Sequence, residues 1–201
     1  MKKIHLYPVE AYEFQFVSMT NWVELIMQQD LKPRPNTGVL NCGPRLQELA
    51  EFSEMTTFFE HCLNEIQEEN NYDCDGFRVT SMWGNYYPVG TAQEPHRHAN
   101  SYWSGCLYLN TSAPTVFYDP LMQRSLGQIE LNKIPKIDAT NLTFNTNAEH
   151  VEKIESTPGK LIIFPSWMVH DTAVTQEERW SVSFNALPVG VINQLTTIEV
   201  L

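Results

Sequence analysis

The residues best suited to chemistry in this sequence are two closely spaced histidines. The run Pro95-His96-Arg97-His98 places two imidazoles two residues apart. On an extended segment, residues i and i+2 point to the same side, so His96 and His98 can converge on one metal ion. This short motif also arises by chance, and a surface loop with two exposed histidines is the alternative.

A third candidate is His170, which follows the apolar run Leu161-Ile162-Ile163-Phe164. We expect it at the outgoing end of that strand. A single histidine at such a place is more often a packed core or rim residue than a metal ligand. His5, His61 and His150 fit no metal-ligand arrangement and are interpreted as surface or packing residues.

An arginine begins a polar row near the end of the chain. On a strand at 179–185, one face carries Arg179, Ser181, Ser183 and Asn185, and the other carries Trp180, Val182 and Phe184. The apolar face can pack against helices, which directs the polar face into the interior of a barrel. Because an unpaired guanidinium is costly to bury, we expect an anion to meet Arg179, either a ligand or an Asp or Glu of the chain.

Helical patterns occupy the first third of the sequence. We expect a strand at 12–17, a helix at 22–29 capped by Thr20 or Asn21, a loop at 32–43, a helix from about 44, and a longer helix capped by Ser53. The apolar residues of the longest helix recur at helical spacing, which indicates a face packed on the core.

Short β-rich runs follow from Gly76, at 77–87, 102–110, 115–118, 151–155, 161–164 and 179–187. No helical pattern separates them, so the sequence favours an antiparallel sandwich or jelly roll over parallel βαβ units. Residues 121–147 have little periodicity and predict a long loop. The 201 residues predict a single domain, mainly β, with helical support over about 1–75 and the β core over about 76–190.

Composition and charge narrow the class of protein. A formal net charge of -11 disfavours nucleic acid as a partner. The sequence offers no apolar run long enough to cross a bilayer and no signal-peptide pattern at its start. Four cysteines without a CxxC motif predict reduced thiols and a cytoplasmic protein. The sequence is compatible with a homo-oligomer.

Taken together, the motifs resemble the iron(II)- and 2-oxoglutarate-dependent oxygenases. The resemblance covers roughly residues 77–187 and is greatest to one branch of that superfamily. The matching motifs are Trp83-Gly84-Asn85, Gly90, PHRHANS at 95–101, SGCLYL at 104–109, Phe164-Pro165-Ser166 with His170, and RWSVSFN at 179–185.

The resemblance implies a double-stranded β-helix, which is a squashed, cupin-like jelly-roll barrel with iron at its mouth. It implies iron(II), 2-oxoglutarate and O2 as cofactor and co-substrates, with His96 as the first metal ligand and His170 as the last. Arg179, helped by Ser181, would bind the distal carboxylate of 2-oxoglutarate. Tyr108 resembles a tyrosine that touches the same carboxylate, and Asn85 would line the cavity.

The sequence departs from the superfamily pattern at His98, where most members place Asp or Glu. We favour His98 as the second ligand because the similar branch tends to show histidine there. Carboxylates nearby in sequence are Glu94, Asp119 and Asp171. On an extended chain Glu94 shares the side of His96, whereas Asp171 points away from His170.

The expected reaction couples oxidative decarboxylation of 2-oxoglutarate to hydroxylation of an unidentified substrate, either a small molecule or a protein side chain. One rival is a cupin-like dioxygenase or isomerase that uses the three histidines without 2-oxoglutarate, and Arg179 argues against it. The other rival is a non-catalytic module that binds a metal or a ligand.

Overall fold

The structure is a computed structural model that describes residues 9–35, 37–120, 151–192 and 196–198. Its helices are α1 (Trp22–Met27) and α2 (Ser53–Asn70), with 3-10 turns at Leu46–Glu48 and Ala50–Phe52. Its strands are β1 (Tyr12–Gln15), β2 (Lys32–Pro33), β3 (Leu40–Asn41), β4 (Gly76–Tyr87), β5 (Gln93–His96), β6 (Trp103–Tyr108), β7 (Ser112–Tyr118), β8 (Val151–Ser156), β9 (Lys160–Pro165), β10 (His170–Thr172), β11 (Arg179–Ile192) and β12 (Thr196–Ile198). The predicted loop at 121–147, His5 and His150 lie outside the described residues.

The described strands form two antiparallel sheets. The larger has the order β1-β9-β6-β11-β4-β3-β2, with β12 paired to β11, and the smaller has the order β5-β10-β7-β8. The two sheets together have the jelly-roll fold that the sequence predicted, although hydrogen bonds do not close them into a barrel. No helix in the described part of the chain is long and apolar enough to cross a bilayer.

Helix α2 covers the outer face of the larger sheet, as its apolar spacing predicted. Met55, Phe59, Cys62, Leu63 and Ile66 are its buried residues. The ring of Phe59 stacks on Phe184 of β11 with 4.5 Å between centroids. Burying a side chain of this size stabilises the fold by about 1.5–3 kcal/mol. This packing assigns the apolar face of β11 to the helices and its polar face to the space between the sheets.

A glycine makes room for that aromatic contact. Gly105 of β6 is paired with Phe184 of β11. A Cβ at position 105 would lie 2.2 Å from Cε1 of Phe184. The ring therefore lies over the bare backbone of Gly105, which allows β6 and β11 to remain adjacent in the centre of the sheet.

Several local predictions in the first third were wrong. The predicted loop at 32–43 contains β2 and β3, and β3 pairs with β4. Pairing with β4 overrides the local turn signals of prolines and glycine in this segment. The helix expected from about 44 consists of the two 3-10 turns.

The two helix caps had different outcomes. Asn21 caps α1, since its side chain accepts a hydrogen bond from the Glu24 N–H. Ser53 is instead the first helical residue of α2, and Phe52 occupies the cap position without a side-chain hydrogen bond. The preceding 3-10 turn leads directly into α2, which explains why this helix begins without a polar cap.

Candidate functional site

Strand pairing brings the three candidate histidines together. His96 of β5 lies opposite His170 of β10 in the smaller sheet, and their ring centroids are 4.4 Å apart. His98 follows β5, with ring centroids 5.3 Å from His96 and 5.1 Å from His170. One ring nitrogen from each of the three lies within 4.8 Å of the others. His170 is the first residue of its own short strand, not the end of the strand before it as the sequence suggested.

Each histidine has one ring nitrogen engaged by an oxygen acceptor. The Nδ1 atom of His96 donates to the Glu94 carbonyl at 2.8 Å, and that of His170 donates to the Met168 carbonyl at 3.0 Å. His98 Nδ1 donates to the side-chain oxygen of Asn185 at 2.6 Å. Because carbonyl and amide oxygens only accept, these bonds fix the proton on Nδ1 and leave the Nε2 lone pairs free.

Burial favours the neutral form of all three rings. Desolvation lowers the pKa of His96 and of His98, and the charge of Arg34 lowers both further. Burial, reinforced by the neighbouring His96, lowers the pKa of His170 to about 3. Neutral imidazole is the form that binds a metal ion, so the triad offers three nitrogen ligands near neutral pH.

No carboxylate shares this cluster in the described part of the chain. The three histidines are the one group of three or more potential ligands found there. Asp171 is engaged elsewhere, because its Oδ2 accepts a short hydrogen bond from the Tyr118 hydroxyl. Glu94 is exposed, and it is its backbone carbonyl that contacts His96. The geometry therefore places His98, and none of the considered carboxylates, beside His96 and His170.

Arg179 is buried deeper between the sheets and is only 1% exposed. Its guanidinium donates to the Ser181 hydroxyl at 3.0 Å and contacts the faces of Tyr87 and Tyr108. Its Nε has no hydrogen-bond partner, and no ion pair to it is found among the described residues. Its Nη2 donates to the Thr115 hydroxyl at 3.4 Å, so Nε is the one guanidinium nitrogen without a partner. A buried guanidinium with a free nitrogen donor and no ionic partner is suited to an incoming carboxylate.

The register of the central strands gathers the other predicted residues around Arg179. Ser181 lies between Asn85 of β4 and Tyr108 of β6. The Tyr108 hydroxyl donates to Thr115 at 2.7 Å, and burial raises its pKa, so it stays protonated. The Asn85 amide donates to the Ser183 hydroxyl at 3.0 Å. All seven predicted site residues thus lie in one region between the sheets.

A single cavity connects the histidines to Arg179. It is lined by residues of both sheets, among them Asn85, Trp83, Gln93, Thr115 and the rim residue Arg34. The sequence analysis did not predict Arg34, Gln93 or Thr115. The local sequence does not distinguish these residues. Strand pairing brings Gln93 and Thr115 to the cavity, and the turn between β2 and β3 brings Arg34 there. Asn185 stood in the polar row, but its contact with His98 was not foreseen.

The residues present fit iron(II) and 2-oxoglutarate. Three neutral imidazoles suit iron(II), and three ligands leave coordination positions for other molecules. Arg179 lines the cavity and its Nε has no hydrogen-bond partner, so this residue has donor capacity left for a carboxylate. Both observations concern side chains of this chain, and together they describe a site for a metal and an organic dianion.

A family model described as “Putative 2OG-Fe(II) oxygenase” matches residues 81–185, which is more than half of the chain. The chain belongs to this family. As a 2OG-Fe(II) oxygenase it is an oxidoreductase whose cofactor is iron(II) and whose co-substrates are 2-oxoglutarate and O2. The matched range contains His96, His98, His170 and Arg179.

Solved structures support the fold of this oxygenase. A Pseudomonas putida prolyl-4-hydroxylase is 13% identical, with a TM-score of 0.60 over 88% of this chain and 92% of that chain. HygX from Streptomyces hygroscopicus, solved with nickel and 2-oxoglutarate, is 10% identical, with a TM-score of 0.60 over 90% of this chain and 83% of that chain. The α-ketoglutarate-dependent epimerase SnoN from nogalamycin biosynthesis is 9% identical, with a TM-score of 0.61 over 96% and 86%. At these identities the similarity shows the fold alone, and no curated protein matches.

Proposed function

We propose that this oxygenase hydroxylates an organic substrate, with His96, His98 and His170 as the iron ligands. The observation that carries the proposal is the presence, in a single cavity, of three neutral imidazoles and one buried guanidinium that has no ionic partner among the described residues. Arg179 binds the distal carboxylate of 2-oxoglutarate, and Ser181, Tyr108 and Asn85 shape its surroundings.

The reaction converts the substrate, 2-oxoglutarate and O2 into hydroxylated substrate, succinate and CO2. Bound iron(II) supplies the oxidative chemistry, in which one oxygen atom enters succinate and the other enters the substrate. The protein binds and orients the reactants. The hydrogen bonds that Nδ1 donates hold the three imidazoles in one tautomer. The aromatic rings of Tyr87 and Tyr108 flank Arg179 and exclude water around it.

Arg179 favours this function over a cupin-like reaction without 2-oxoglutarate. A dioxygenase or isomerase that needs only three histidines has no use for a buried arginine that lacks an ionic partner. A non-catalytic module is the other competing function, and turnover measurements separate it from an enzyme. The single-domain organisation, the cytoplasmic location and the avoidance of nucleic acid stay predictions.

The first test measures co-substrate binding and turnover separately. Protein loaded with iron(II) without oxygen should bind 2-oxoglutarate, as followed by calorimetry. Exposure to O2 should then release succinate at a slow rate even without added substrate. A cupin-like enzyme would bind no 2-oxoglutarate, whereas a binding module would bind it without releasing succinate.

The second test concerns His98. If His98 is the second ligand, His98→Asp should still bind metal, because aspartate can supply a ligand oxygen, whereas His98→Leu should lose most of its metal affinity. Metal affinity is measured by competition with a chelator, and circular dichroism verifies folding. Wild-type affinity in His98→Leu would show that His98 is not a ligand.

A further inference from the structure

A second arginine faces the same cavity from its rim. Arg34 lies directly after β2, in the turn that leads to β3, and its backbone N–H donates to the Val39 carbonyl at 2.8 Å. Its Nη1 donates to the side-chain oxygen of Gln93 at 2.9 Å. Gln93 is 7% exposed and belongs to β5, the strand that carries His96. Arg34 is thus attached to the wall of the cavity beside the histidines, although the residue is exposed.

Several basic residues of the described surface form ion pairs, whereas Arg34 forms none with a described residue. Arg97 and Lys153 form none either, but they do not line the cavity. Lys32 pairs with Asp30, Arg45 with Glu48 and Arg78 with Glu60. Among the described residues, no carboxylate lies within ion-pair distance of Arg34, and no Asp or Glu lines the cavity. The chain carries 24 acidic residues and 13 basic ones, so the cavity is basic against the charge of the whole protein.

The three-histidine triad increases this local excess of positive charge. A triad with Asp or Glu would bring one negative charge that His98 does not supply. If 2-oxoglutarate occupies the metal and Arg179 as proposed above, one of its carboxylates offsets one charge of the metal and the other pairs with Arg179. One positive charge of the metal and that of Arg34 then remain uncompensated. A substrate that carries an anionic group next to Arg34 would offset part of this excess.

From this geometry we infer that Arg34 binds a carboxylate of the substrate, so that the oxygenase acts on an acidic compound or an acidic side chain. The inference rests on the proposed function for the placement of 2-oxoglutarate. The planar guanidinium matches a carboxylate with two parallel hydrogen bonds. A phosphate would bind less well, since the described residues of the rim include one guanidinium and no helix N-terminus or run of backbone N–H groups.

The test compares acids with their uncharged amides. Wild-type protein is loaded with nickel(II), which replaces iron without turnover, and with 2-oxoglutarate. It is then titrated with N-acetyl-aspartate and N-acetyl-asparagine, with N-acetyl-glutamate and N-acetyl-glutamine, and with capped pentapeptides that contain the same four residues. Ligand-detected NMR gives the affinities. We expect at least one acid to bind about tenfold or more tightly than its amide, as one charge-assisted contact implies.

Substitutions assign this preference to Arg34. Arg34→Gln should abolish the difference between acid and amide, and Arg34→Lys should keep part of it. Arg45→Gln removes the same charge from a surface arginine and should leave the difference unchanged. Circular dichroism confirms that each variant is folded. Tighter binding of the N-acetyl amino acids would indicate a small-molecule substrate, and tighter binding of the peptides would indicate a protein side chain.

The inference is wrong if wild-type protein binds acids and amides equally, or binds none of them. It is also wrong if the preference survives in Arg34→Gln, or if O-phosphoserine binds Arg34 more tightly than the carboxylates do. A failure of the proposed function would be detected before the titrations with acids and amides, because 2-oxoglutarate would then not bind the nickel-loaded protein. The acid and amide comparison would in that case be made with nickel alone.

Discussion

His98 differs from the other two histidines because a side chain, Asn185, accepts the hydrogen bond of its Nδ1 at 2.6 Å. His96 and His170 donate to backbone carbonyls, which no substitution removes. The Asn185 oxygen also accepts a hydrogen bond from the Ser104 hydroxyl at 2.8 Å, across the pairing of β11 with β6. The tautomer of His98 therefore depends on one replaceable residue.

Replacing Asn185 tests this dependence. Asn185→Leu removes the acceptor for His98 Nδ1, so the ring can rotate or exchange tautomers, and we expect metal affinity to fall about 10- to 100-fold. Asn185→Asp keeps an acceptor oxygen at the same place and should retain most of the affinity. Chelator competition with cobalt(II) or zinc(II) measures the effect, and unchanged affinity in Asn185→Leu would show that the contact does not position the ligand.

The sequence predicted the part of the site that depends on alternation along a strand. Arg179, Ser181 and Asn185 were placed on one face of β11 by period-two alternation alone, and the structure places all three between the sheets. The helical spacing in α2 likewise predicted its packing on the opposite face through Phe59. Such patterns can be recognised in a sequence because every second residue of a strand, and every third or fourth residue of a helix, has the same environment.

Contacts between distant segments were not predictable in this way. Arg34 and Gln93 are 59 positions apart, and His98 and Asn185 are 87 apart. The short hairpin of β2 and β3 was missed because its proline and glycine signals indicate a loop. Its structure depends on pairing with β4, and a tertiary contact of this kind leaves no local pattern.

We expect Arg179 to lower the free energy of unfolding of the ligand-free protein, although the same residue enables 2-oxoglutarate to bind. Its guanidinium is buried without an ionic partner among the described residues, so Arg179→Gln should stabilise the ligand-free protein by about 1–2 kcal/mol in urea unfolding. The same variant should weaken 2-oxoglutarate binding about 100-fold or more.

Arg78→Gln is the matched control, since Arg78 is a surface residue paired with Glu60, and both quantities should stay near wild type. If Arg179→Gln bound 2-oxoglutarate as tightly as wild type, Arg179 would not be the carboxylate-binding residue. Loss of both stability and binding would instead assign Arg179 a structural role.

The cysteines should differ in their reactivity towards iodoacetamide. Burial, together with the charge of Glu65, raises the pKa of Cys62 to about 12, and burial also raises the pKa of Cys42. A raised pKa keeps a thiol protonated at pH 8, and the thiolate is the reactive form. Cys74 is only partly buried, so we expect it to be alkylated first.

Mass spectrometry after tryptic digestion locates the label. The native protein at pH 8 should carry it at Cys74, and Cys42 and Cys62 should react only after denaturation in urea. In Cys74→Ala, the early phase of labelling should disappear. Early labelling of Cys62 in the native protein would contradict the packing of α2 against the sheet.

The contact between Gly105 and Phe184 predicts a large effect from a single methyl group. In Gly105→Ala the new Cβ would overlap the Phe184 ring, which is held in place by Phe59. Overpacking of this kind should lower the free energy of unfolding by about 1–3 kcal/mol, measured by urea denaturation. Gly43→Ala is the control, since no heavy atom beyond its neighbours in the chain lies within 4 Å of the added Cβ, and its effect should stay within about 0.5 kcal/mol.

A double substitution distinguishes steric overlap from a general intolerance of alanine at position 105. Phe184→Leu removes the ring and should be destabilising in the wild-type background. Combined with Gly105→Ala, it should cost less than the sum of the two single changes, because the smaller side chain leaves space for the methyl group. Strict additivity would mean that Phe184 does not set the requirement for glycine, and the close approach of β6 to β11 would then need another explanation.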